Sequence, residues 1–370
     1  MKSREIIEKM LESADVKING NRPWDIKVLD DRLYNRILNQ GTLGLGEAYM
    51  DGWWECEAID ELVYRVIRFC DKSIIYKNII NLLHLLKSKI LNLQTKSGSK
   101  RVAEEHYDLG NDLYMSFLDP YNQYTCGYFK NTNDLNKAQE QKLDLICKKL
   151  QLKSTDKVLD IGCGWGGFAK YAAEHYGCHV TGISISDEQI KYAKEFTKGL
   201  PVEILKMDYR DMEGTFNKVL ICGMIEHVGY RNYKSIFNIV KRCISEDGLF
   251  LLHTIGGKIS KTYADPWIEK YIFPNSMLPS PKQIAESSEG LFILEDWHNF
   301  GQYYDKTLLS WMKNLDTSWP QLKEKYNDRF YRMFKFYLLS CAGLFRARDI
   351  HLWQIVFSPK GVIGGYESVR

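Results

Sequence analysis

Three glycines at alternate positions follow an apolar run in the segment KVLDIGCGWGGFAKYAAEHYG, residues 157–177. The apolar run predicts a strand, and the residues after the glycines predict a helix. A strand, a glycine-rich turn and a helix in this order allow a ligand to approach the backbone at the start of the helix. The candidate ligand-binding residues of this turn are Asp160, Gly162, Gly164 and Gly166.

Two kinds of ligand suit such a turn. A nicotinamide dinucleotide requires an acidic residue about twenty positions further on, which binds the ribose hydroxyls. The second predicted strand instead ends in GISIS, with no acidic residue at its tip. The position of Asp160 directly before the glycines resembles the S-adenosylmethionine loop of class I methyltransferases. In that interpretation Gln189, on the following helix, hydrogen-bonds the ribose in place of the missing acid.

Two titratable side chains lie at later predicted strands. Glu226 follows the run KVLICG, and His253 lies inside the run LFLLHTI. Methyl transfer to an electron-rich carbon requires no base, so a carboxylate beside a cationic methyl donor needs an explanation. Simpler roles are also open, because Glu226 and His227 can cap the next helix and His253 can be a core histidine with satisfied hydrogen bonds.

Short apolar runs alternate with longer amphipathic ones in most of the chain. This alternation predicts an α/β fold with a parallel, doubly wound sheet. The seven predicted strands are residues 157–161, 179–185, 202–208, 218–223, 249–255, 292–298 and 352–358. Residues 256–290 exceed the usual length of a connection, so we predict that this insertion forms a lid or a substrate wall that lines an acyl-chain tunnel.

The N-terminal part has a different pattern. Residues 5–12 and 59–69 show the apolar spacing of helices, and the glycine-rich stretch GTLGLGEAYMDGWWE lies between them. We therefore predict a small, mainly helical, lipid-associating domain at residues 1–95, a linker at 96–105 and a catalytic domain at 106–370.

Positive charge is concentrated in one segment of a chain whose formal net charge is only +3. Residues 72–103 contain seven Lys and Arg side chains and no acidic one. Apolar residues between Ile75 and Leu93 repeat at helical spacing, which predicts an amphipathic basic helix. Such a helix can lie on anionic lipid or pack into a core. Because no stacking aromatics are interleaved with its charges, it gives little support to nucleic-acid binding.

The location predicted from the sequence is cytoplasmic, on the inner face of the cell membrane. The N-terminal segment lacks the apolar core of a signal peptide, and the chain has no run of about 18 apolar residues. The nine cysteines form no CxxC pair, which favours reduced thiols and no metal site. No HExxH motif occurs, which argues against a metal hydrolase.

Longer motifs extend the resemblance beyond the generic fold. The motifs occur in the order EHYDLGNDLY, QYTCGYF, VLDIGCGWGG, GMIEHVG, LLHTIG, DPWIEKYIFPN and FRARDIHLWQ. Together they resemble cyclopropane-fatty-acyl-phospholipid synthases over nearly the whole chain. The stretch GTLGLGEAYMDGWWE resembles the N-terminal domain of the bacterial lipid-acting members, which the related mycolate cyclopropane synthases lack.

The resemblance implies a reaction that needs a base. The methyl carbon of S-adenosylmethionine is transferred to a cis double bond of an unsaturated acyl chain in a membrane phospholipid, which leaves a carbocation. Closing the cyclopropane ring then requires removal of a proton from the new methyl group. In the family this base is a bound bicarbonate ion, and its cage corresponds to Cys126, Glu226, His253, Ile255 and Tyr304. Glu226 accepts the bicarbonate hydroxyl, and His253 and Tyr304 donate to its oxygens.

The resemblance also implies a set of cofactor residues, a phospholipid membrane surface as partner and a homodimer. The cofactor residues are Tyr124, Thr125, Asp160, Gly162, Gly164, Gly166, Ser184, Ile185, Gln189, Asp208 and Tyr209. Three of the residues implied here and above have simpler interpretations. Asp208 can begin a loop, Tyr304 can be a packing residue, and Cys126 can be a small buried side chain without a nucleophilic role.

Other functions stay open from the sequence alone. The chain can be a methyltransferase for another lipid, small molecule or RNA, in which Glu226 orients the acceptor. It can also be a lipid-binding protein that keeps the fold without catalysis, although the intact turn and the five cage residues argue against this. A nicotinamide dehydrogenase is disfavoured by the missing acidic residue.

Overall fold

The computed structural model describes residues 3–70 and 110–370, which form two compact units. The described residues of the first unit are 3–70, 262–274 and 308–350, and those of the second are 110–261, 275–307 and 351–370. The predicted basic helix and the predicted linker at 96–105 lie outside the described residues. The domain boundaries at 95 and 106 therefore stay a prediction, and the first unit also contains segments that the sequence analysis assigned to the catalytic domain.

The elements are numbered in chain order. The first part of the chain forms α1 (Ser3–Glu12), β1 (Lys27–Val28), α2 (Arg32–Met50), β2 (Trp54–Glu55) and α3 (Ile59–Phe69). The middle part forms α4 (Asn111–Met115), α5 (Leu135–Lys149), β3 (Lys157–Ile161), α6 (Gly167–Tyr176), β4 (His179–Ser184), α7 (Asp187–Phe196), β5 (Val202–Lys206), β6 (Phe216–Cys222), α8 (Tyr233–Cys243) and β7 (Ile244–Gly257). The last part forms α9 (Pro266–Tyr271), α10 (Pro281–Ser288), β8 (Ile293–Asn299), α11 (Gln302–Leu322), α12 (Asp328–Arg346) and β9 (Ile350–Ser358).

Strands β3 to β9 form one seven-stranded sheet in the order β5-β4-β3-β6-β7-β9-β8. The seven predicted strands are confirmed, with ends that differ by a few residues. The sheet is mixed rather than wholly parallel, because β8 and β9 are antiparallel to each other, whereas β3 to β7 pair in parallel. The sequence did not reveal this direction, since β9 is buried over most of its length and so resembles a parallel strand.

Helices cover both faces of this sheet. Alternate residues of the central strands face opposite ways, so that Val158 packs in one buried cluster and Leu159 in another. Helix α5 contributes Ile146 to the first cluster, and α8 contributes Phe237 to the second. This arrangement leaves the carboxyl ends of β3, β6 and β7 along one edge of the sheet, where ligands of open α/β folds bind.

The glycine-rich stretch of the first unit is largely helical. It forms the second half of α2, which is interrupted at Gly41, where φ is +59°. A Cβ atom on Gly46 would lie 2.4 Å from the ring of Trp267, so a glycine is required for this close approach. In the described ranges, no helix combines the length and apolar character needed to cross a bilayer.

The insertion at 256–290 contains two short helices, α9 and α10. Residues 262–274 belong to the first unit, and the remainder belongs to the second. Helix α10 begins with a capping box, in which the Ser280 and Gln283 side chains satisfy each other's backbone N–H groups. Its predicted role as a lid or tunnel wall stays a prediction.

Candidate active site

The glycine turn after β3 has the backbone expected of a ligand-binding loop. Gly162, Gly164 and Gly166 all have positive φ angles, and Gly166 directly precedes α6. No atom lies within 4 Å of a Cβ built on Gly164, whereas a Cβ on Gly162 would lie 2.8 Å from the Met224 side chain. The turn therefore leaves space above Gly164 and presents its backbone to that space.

Asp160 at the end of β3 is almost completely buried. Burial raises the pKa of its carboxyl to about 7, and the positive charge of Lys142 opposes this rise. The carboxylate form is therefore costly in the isolated protein, and a cationic ligand would stabilise it.

Three of the predicted cofactor residues, Ser184, Ile185 and Gln189, lie at the end of β4 and the start of α7. Ser184 Oγ donates to Gln189 Oε1 at 3.2 Å, and Ser186 caps α7. Ile185, between them in the sequence, is half-buried. This network orients the Gln189 amide at the sheet edge where the glycine turn lies.

Asp208 and Tyr209 both contact Arg210. The Asp208 carboxylate accepts the Arg210 guanidinium at 2.7 Å and also its backbone N–H, as expected of an aspartate that begins a turn. The guanidinium carbon lies 4.7 Å from the centre of the Tyr209 ring. These contacts support the simpler interpretation of Asp208, and contact with adenine stays a prediction.

The loop at residues 123–127 is held by buried polar side chains. Lys142 Nζ donates to Thr125 Oγ1 at 2.9 Å and to Gln123 Oε1. Gln139 Nε2 donates to the Thr125 carbonyl at 2.8 Å. Tyr124 packs edge-on against Tyr114, with ring centres 5.2 Å apart.

Cys126 is completely buried beside Thr307. The Thr307 hydroxyl lies 3.9 Å from Cys126 Sγ and accepts the Gly127 backbone N–H at 3.0 Å. Burial raises the pKa of the Cys126 thiol well above its usual value, so the thiol is neutral and unsuited to a nucleophilic role. Tyr304 lies one helical turn before Thr307 on α11, on the same side of the helix.

Glu226 follows β6 in a short 3₁₀ turn and does not cap α8. Its Oε1 accepts the backbone N–H of Ile255 on β7 at 2.7 Å. Its Oε2 is buried and has no hydrogen-bond partner among the residues that the structure describes. Burial raises the pKa of this carboxyl to about 7, because the hydrogen bonds that lower the pKa do not replace the lost hydration.

His253 on β7 is 1% exposed, and its Nδ1 lies 3.3 Å from the side-chain nitrogen of Gln354 on β9. Burial, followed by the charges of Lys142 and Lys149, lowers the pKa of His253 well below its ordinary value, so the ring is neutral. With the amide nitrogen donating to Nδ1, the ring hydrogen is on Nε2. This Nε2 is also buried without a partner in the described part of the chain.

The structure brings together some of the five predicted cage residues directly. Glu226 contacts Ile255, and His253 precedes Ile255 by two positions on the same strand. Cys126 contacts Thr307, and Tyr304 lies one helical turn before Thr307 on α11. The convergence of all five on one bound ion stays a prediction.

Sequence reasoning missed Lys142, Gln139, Thr307 and Gln354. Lys142 and Gln139 occupy the buried stripe of α5, and Gln354 lies in the buried run of β9. A polar residue at an apolar position of a periodic pattern is the signal that would have found them. Among the described residues, no group of three or more His, Cys, Asp or Glu side chains is placed to hold a metal ion.

The strand order and the glycine turn after β3 define the class I methyltransferase fold. Two solved structures agree with this. The cyclopropane synthase MmaA2 from Mycobacterium tuberculosis is 28% identical with a TM-score of 0.66, and the mycolic acid cyclopropane synthase CmaA1 complexed with SAH and CTAB is 29% identical with a TM-score of 0.64. Each similarity covers 70% of this chain and 97% of the other.

Residues 94–355 match the family model described as mycolic acid cyclopropane synthetase, and the chain belongs to this family. It is also 49% identical over 365 residues to the cyclopropane-fatty-acyl-phospholipid synthase of Escherichia coli (strain K12). That similarity covers 99% of this chain and 95% of the relative. The resemblance inferred from the motifs is therefore confirmed, as is the prediction that the chain is a methyltransferase of this kind.

Proposed function

We propose that the protein transfers the methyl carbon of S-adenosylmethionine to the cis double bond of unsaturated acyl chains in membrane phospholipids and closes a cyclopropane ring. The observation that carries this proposal is the extent of the similarity to the Escherichia coli synthase. It covers 99% of the chain, and therefore the first unit as well as the sheet. An enzyme acting on the double bond of another lipid or small molecule is the alternative.

The residues at the edge of the sheet fit S-adenosylmethionine, which supplies an electrophilic methyl group when bound. The space above Gly164 admits a ligand to the backbone. Asp160 would hold the cationic amino group, because its buried carboxylate lacks a fully compensating partner. Gln189, oriented by Ser184, would bind the ribose hydroxyls, and Tyr124 and Thr125 would cover the ligand.

A base is required after methyl transfer. The new methyl group must lose a proton so that its carbon can bond to the carbocation centre. Glu226 is a poor choice for direct proton transfer, since a carboxylate touching a carbocation can itself be alkylated. A small bound base that is not part of the polypeptide avoids alkylation of the enzyme.

Two of the buried side-chain atoms without partners in the described residues fit bicarbonate, which supplies that base. Glu226 Oε2 is an acceptor without a donor, and His253 Nε2 is a donor without an acceptor. Bicarbonate carries both an O–H group and acceptor oxygens, so it satisfies both atoms at once. Ile255 holds Glu226 through its backbone N–H, and we place Tyr304 and the backbone near Cys126 around the remaining oxygens.

Product analysis tests the proposal. The purified protein is incubated with methyl-labelled S-adenosylmethionine and unsaturated phospholipid vesicles, with and without bicarbonate in CO₂-free buffer. We expect labelled cyclopropane acyl chains by mass spectrometry, and a large loss of product without bicarbonate. Protein that binds S-adenosylmethionine but labels no phospholipid supports the alternative function. Undiminished ring formation without bicarbonate contradicts the proposed base.

We also propose that residues 72–101 bind the membrane surface peripherally, on the cytoplasmic face, as part of a lipid-associating domain at 1–95. The support is the charge of this segment, since each well-placed cation contributes about 1 kcal/mol of attraction to anionic lipid. Charge reversal at Lys87 and Lys89 should weaken binding to anionic vesicles, and high salt should weaken binding of the unaltered protein. Equal binding in all cases contradicts this role.

We further propose a homodimer, which rests on the family resemblance alone. Sedimentation equilibrium of the purified protein measures the mass in solution. Twice the chain mass of 43.2 kDa is the expected result, and a single chain mass over the accessible concentration range contradicts it.

A further inference from the structure

Helix α5 carries two completely buried lysines, Lys142 and Lys149. Lys149 Nζ pairs with the Asp296 carboxylate at 3.0 Å, as a buried ammonium normally does. Lys142 Nζ donates instead to two neutral oxygens, those of the Gln123 amide and the Thr125 hydroxyl. No carboxylate of the described residues lies within ion-pair distance of Lys142. A buried cation without an anion is costly, and a bound anion would remove that cost.

Lys142 is close to the residues proposed to hold bicarbonate. Its partner Thr125 precedes Cys126 and lies 3.9 Å from the thiol of Cys222, measured from Oγ1 to Sγ. Cys222 at the end of β6 is in turn the register partner of His253 on β7. Burial, followed by the positive charge of Lys142, lowers the pKa of His253.

The proposed bicarbonate site lacks a cation of its own. His253 is neutral because burial lowers its pKa, and the Cys126 thiol is neutral because burial raises its pKa. Glu226 adds a negative charge when it is ionised. A buried anion beside a carboxylate requires a positive charge in the same region of low dielectric constant.

Lys142 interacts electrostatically with several titratable groups of the described residues. They include Asp119 in the loop between α4 and α5, Asp160 at the end of β3, Cys126, Cys222 at the end of β6 and His253 on β7. Asp160 would already be engaged by the cationic donor, and Asp119 accepts the backbone N–H groups of Tyr121 and Gln123. Neither carboxylate is therefore the dedicated partner of this ammonium group.

We propose that Lys142 is a positioning residue that supplies the positive charge stabilising the anion between Glu226 and His253 and that fixes Thr125 beside it. The inference rests on the proposed function, because it assumes that the anion is bicarbonate. Its two hydrogen bonds aim the ammonium group at the loop carrying Cys126. Its charge acts through space on the anion and not by contact with the lipid.

Bicarbonate binding by the complete protein tests this role. The probe is ¹³C-labelled bicarbonate in CO₂-free buffer, and line broadening in the ¹³C NMR spectrum gives its affinity. Lys142→Met keeps most of the length of the side chain and removes its charge, and we expect about tenfold weaker binding. Lys149→Met is the matched control on the same helix. It should lower the melting temperature through loss of the Asp296 pair and weaken bicarbonate binding much less than Lys142→Met does, because the Asp296 carboxylate neutralises the charge of Lys149.

A measurement on the unaltered protein covers the case in which Lys142→Met does not fold. In protein labelled with ¹⁵N-lysine, bicarbonate should shift the Nζ signal of Lys142 and leave that of Lys149 in place. Bicarbonate binding that Lys142→Met does not weaken, or an unmoved Lys142 signal in protein that binds bicarbonate, overturns this inference alone. If the unaltered protein binds no bicarbonate, both the inference and the proposed base are wrong.

Discussion

Two buried glutamates, one in each unit, are held in opposite ways. Glu47 in the first unit accepts Arg36 at 2.6 Å, Lys270 at 2.6 Å and the Tyr271 hydroxyl at 2.8 Å. Burial raises its pKa, but these hydrogen bonds outweigh burial and hold the pKa down at about 2. Glu226 in the second unit accepts the backbone N–H of Ile255 at Oε1, and burial raises its pKa to about 7.

The difference separates a structural carboxylate from one available for a ligand. Both oxygens of the Glu47 carboxylate accept strong donors, so its charge ties α2 to α9. Glu226 is buried at an energetic cost that its hydrogen bonds do not offset. Perturbed and undercompensated groups of this kind concentrate at functional sites. We therefore infer that Glu47 stabilises the fold and that Glu226 is available to bind a ligand.

The largest effect is expected from Glu226→Gln. The amide keeps the shape of the side chain, but its NH₂ group cannot accept the bicarbonate hydroxyl. Ring formation should therefore fall at least about 100-fold. Mass spectrometry of the lipid product measures this loss, and calorimetry should show unchanged affinity for S-adenosylhomocysteine. Near-normal turnover contradicts the role given to Glu226.

Glu47→Gln should have its main effect on stability. The change leaves Lys270 without its anion and removes one of the two carboxylates that Arg36 contacts, and the free energy of unfolding should fall by about 2–3 kcal/mol. Urea denaturation at pH 7 measures this decrease. Ring formation should persist at temperatures well below the transition. An unchanged denaturation midpoint shows that these hydrogen bonds contribute no net stability. Loss of activity in the folded variant contradicts a purely structural role for Glu47.

The two glutamates should also give opposite pH dependences of stability. In the unfolded chain both carboxyls ionise near 4.5, whereas folded Glu226 keeps its proton up to about 7, so its contribution makes folding less favourable as pH rises through that window. Between pH 5 and pH 8, the free energy of unfolding of Glu226→Gln should therefore rise by about 1–3 kcal/mol relative to that of the unaltered protein. Glu47 stabilises above pH 4.5, and this stabilisation should be lost as pH falls towards 2.

Urea titrations in CO₂-free buffer at several pH values measure both dependences. Below pH 4.5, comparison with Glu47→Gln isolates the contribution of Glu47. Between pH 5 and pH 8, comparison with Glu226→Gln isolates the contribution of Glu226. If the difference in the free energy of unfolding between Glu226→Gln and the unaltered protein does not change with pH, the pKa of Glu226 is not raised by folding.

The smallest effect is expected from Gln354→Met. The change removes the amide that faces His253 Nδ1 and so relaxes the preference for hydrogen on Nε2. Bicarbonate affinity should weaken by about tenfold or less, with little change in stability. The ¹⁵N chemical shifts of His253 report the tautomer directly. If the variant keeps hydrogen on Nε2, the orientation of His253 depends on other contacts.

The local patterns predicted most elements of the second unit, and in the first unit they predicted the helices at 5–12 and 59–69. Apolar runs identified all seven strands of the sheet, because a buried strand leaves its mark within a few neighbouring residues. The spacing of the glycines likewise predicted the turn after β3. The same patterns did not show that residues 262–274 and 308–350 belong with the N-terminal helices, since segments distant in sequence leave no periodic signal of their pairing.

The site was predictable in its residues but not in its contacts. Motif resemblance selected Glu226, His253 and Ile255, whereas the hydrogen bond from Ile255 to Glu226 joins residues 29 positions apart. Gln354 is 101 positions from His253, and no local pattern relates them. Such contacts follow from strand order, which places β7 between β6 and β9.

A crystal structure of the protein grown with S-adenosylhomocysteine and bicarbonate tests the central claim most directly. We predict density for a planar ion within hydrogen-bond distance, about 2.6–3.2 Å, of both Glu226 Oε2 and His253 Nε2. A structure in which these two atoms bond to other side chains, or point apart with no ion between them, contradicts the account.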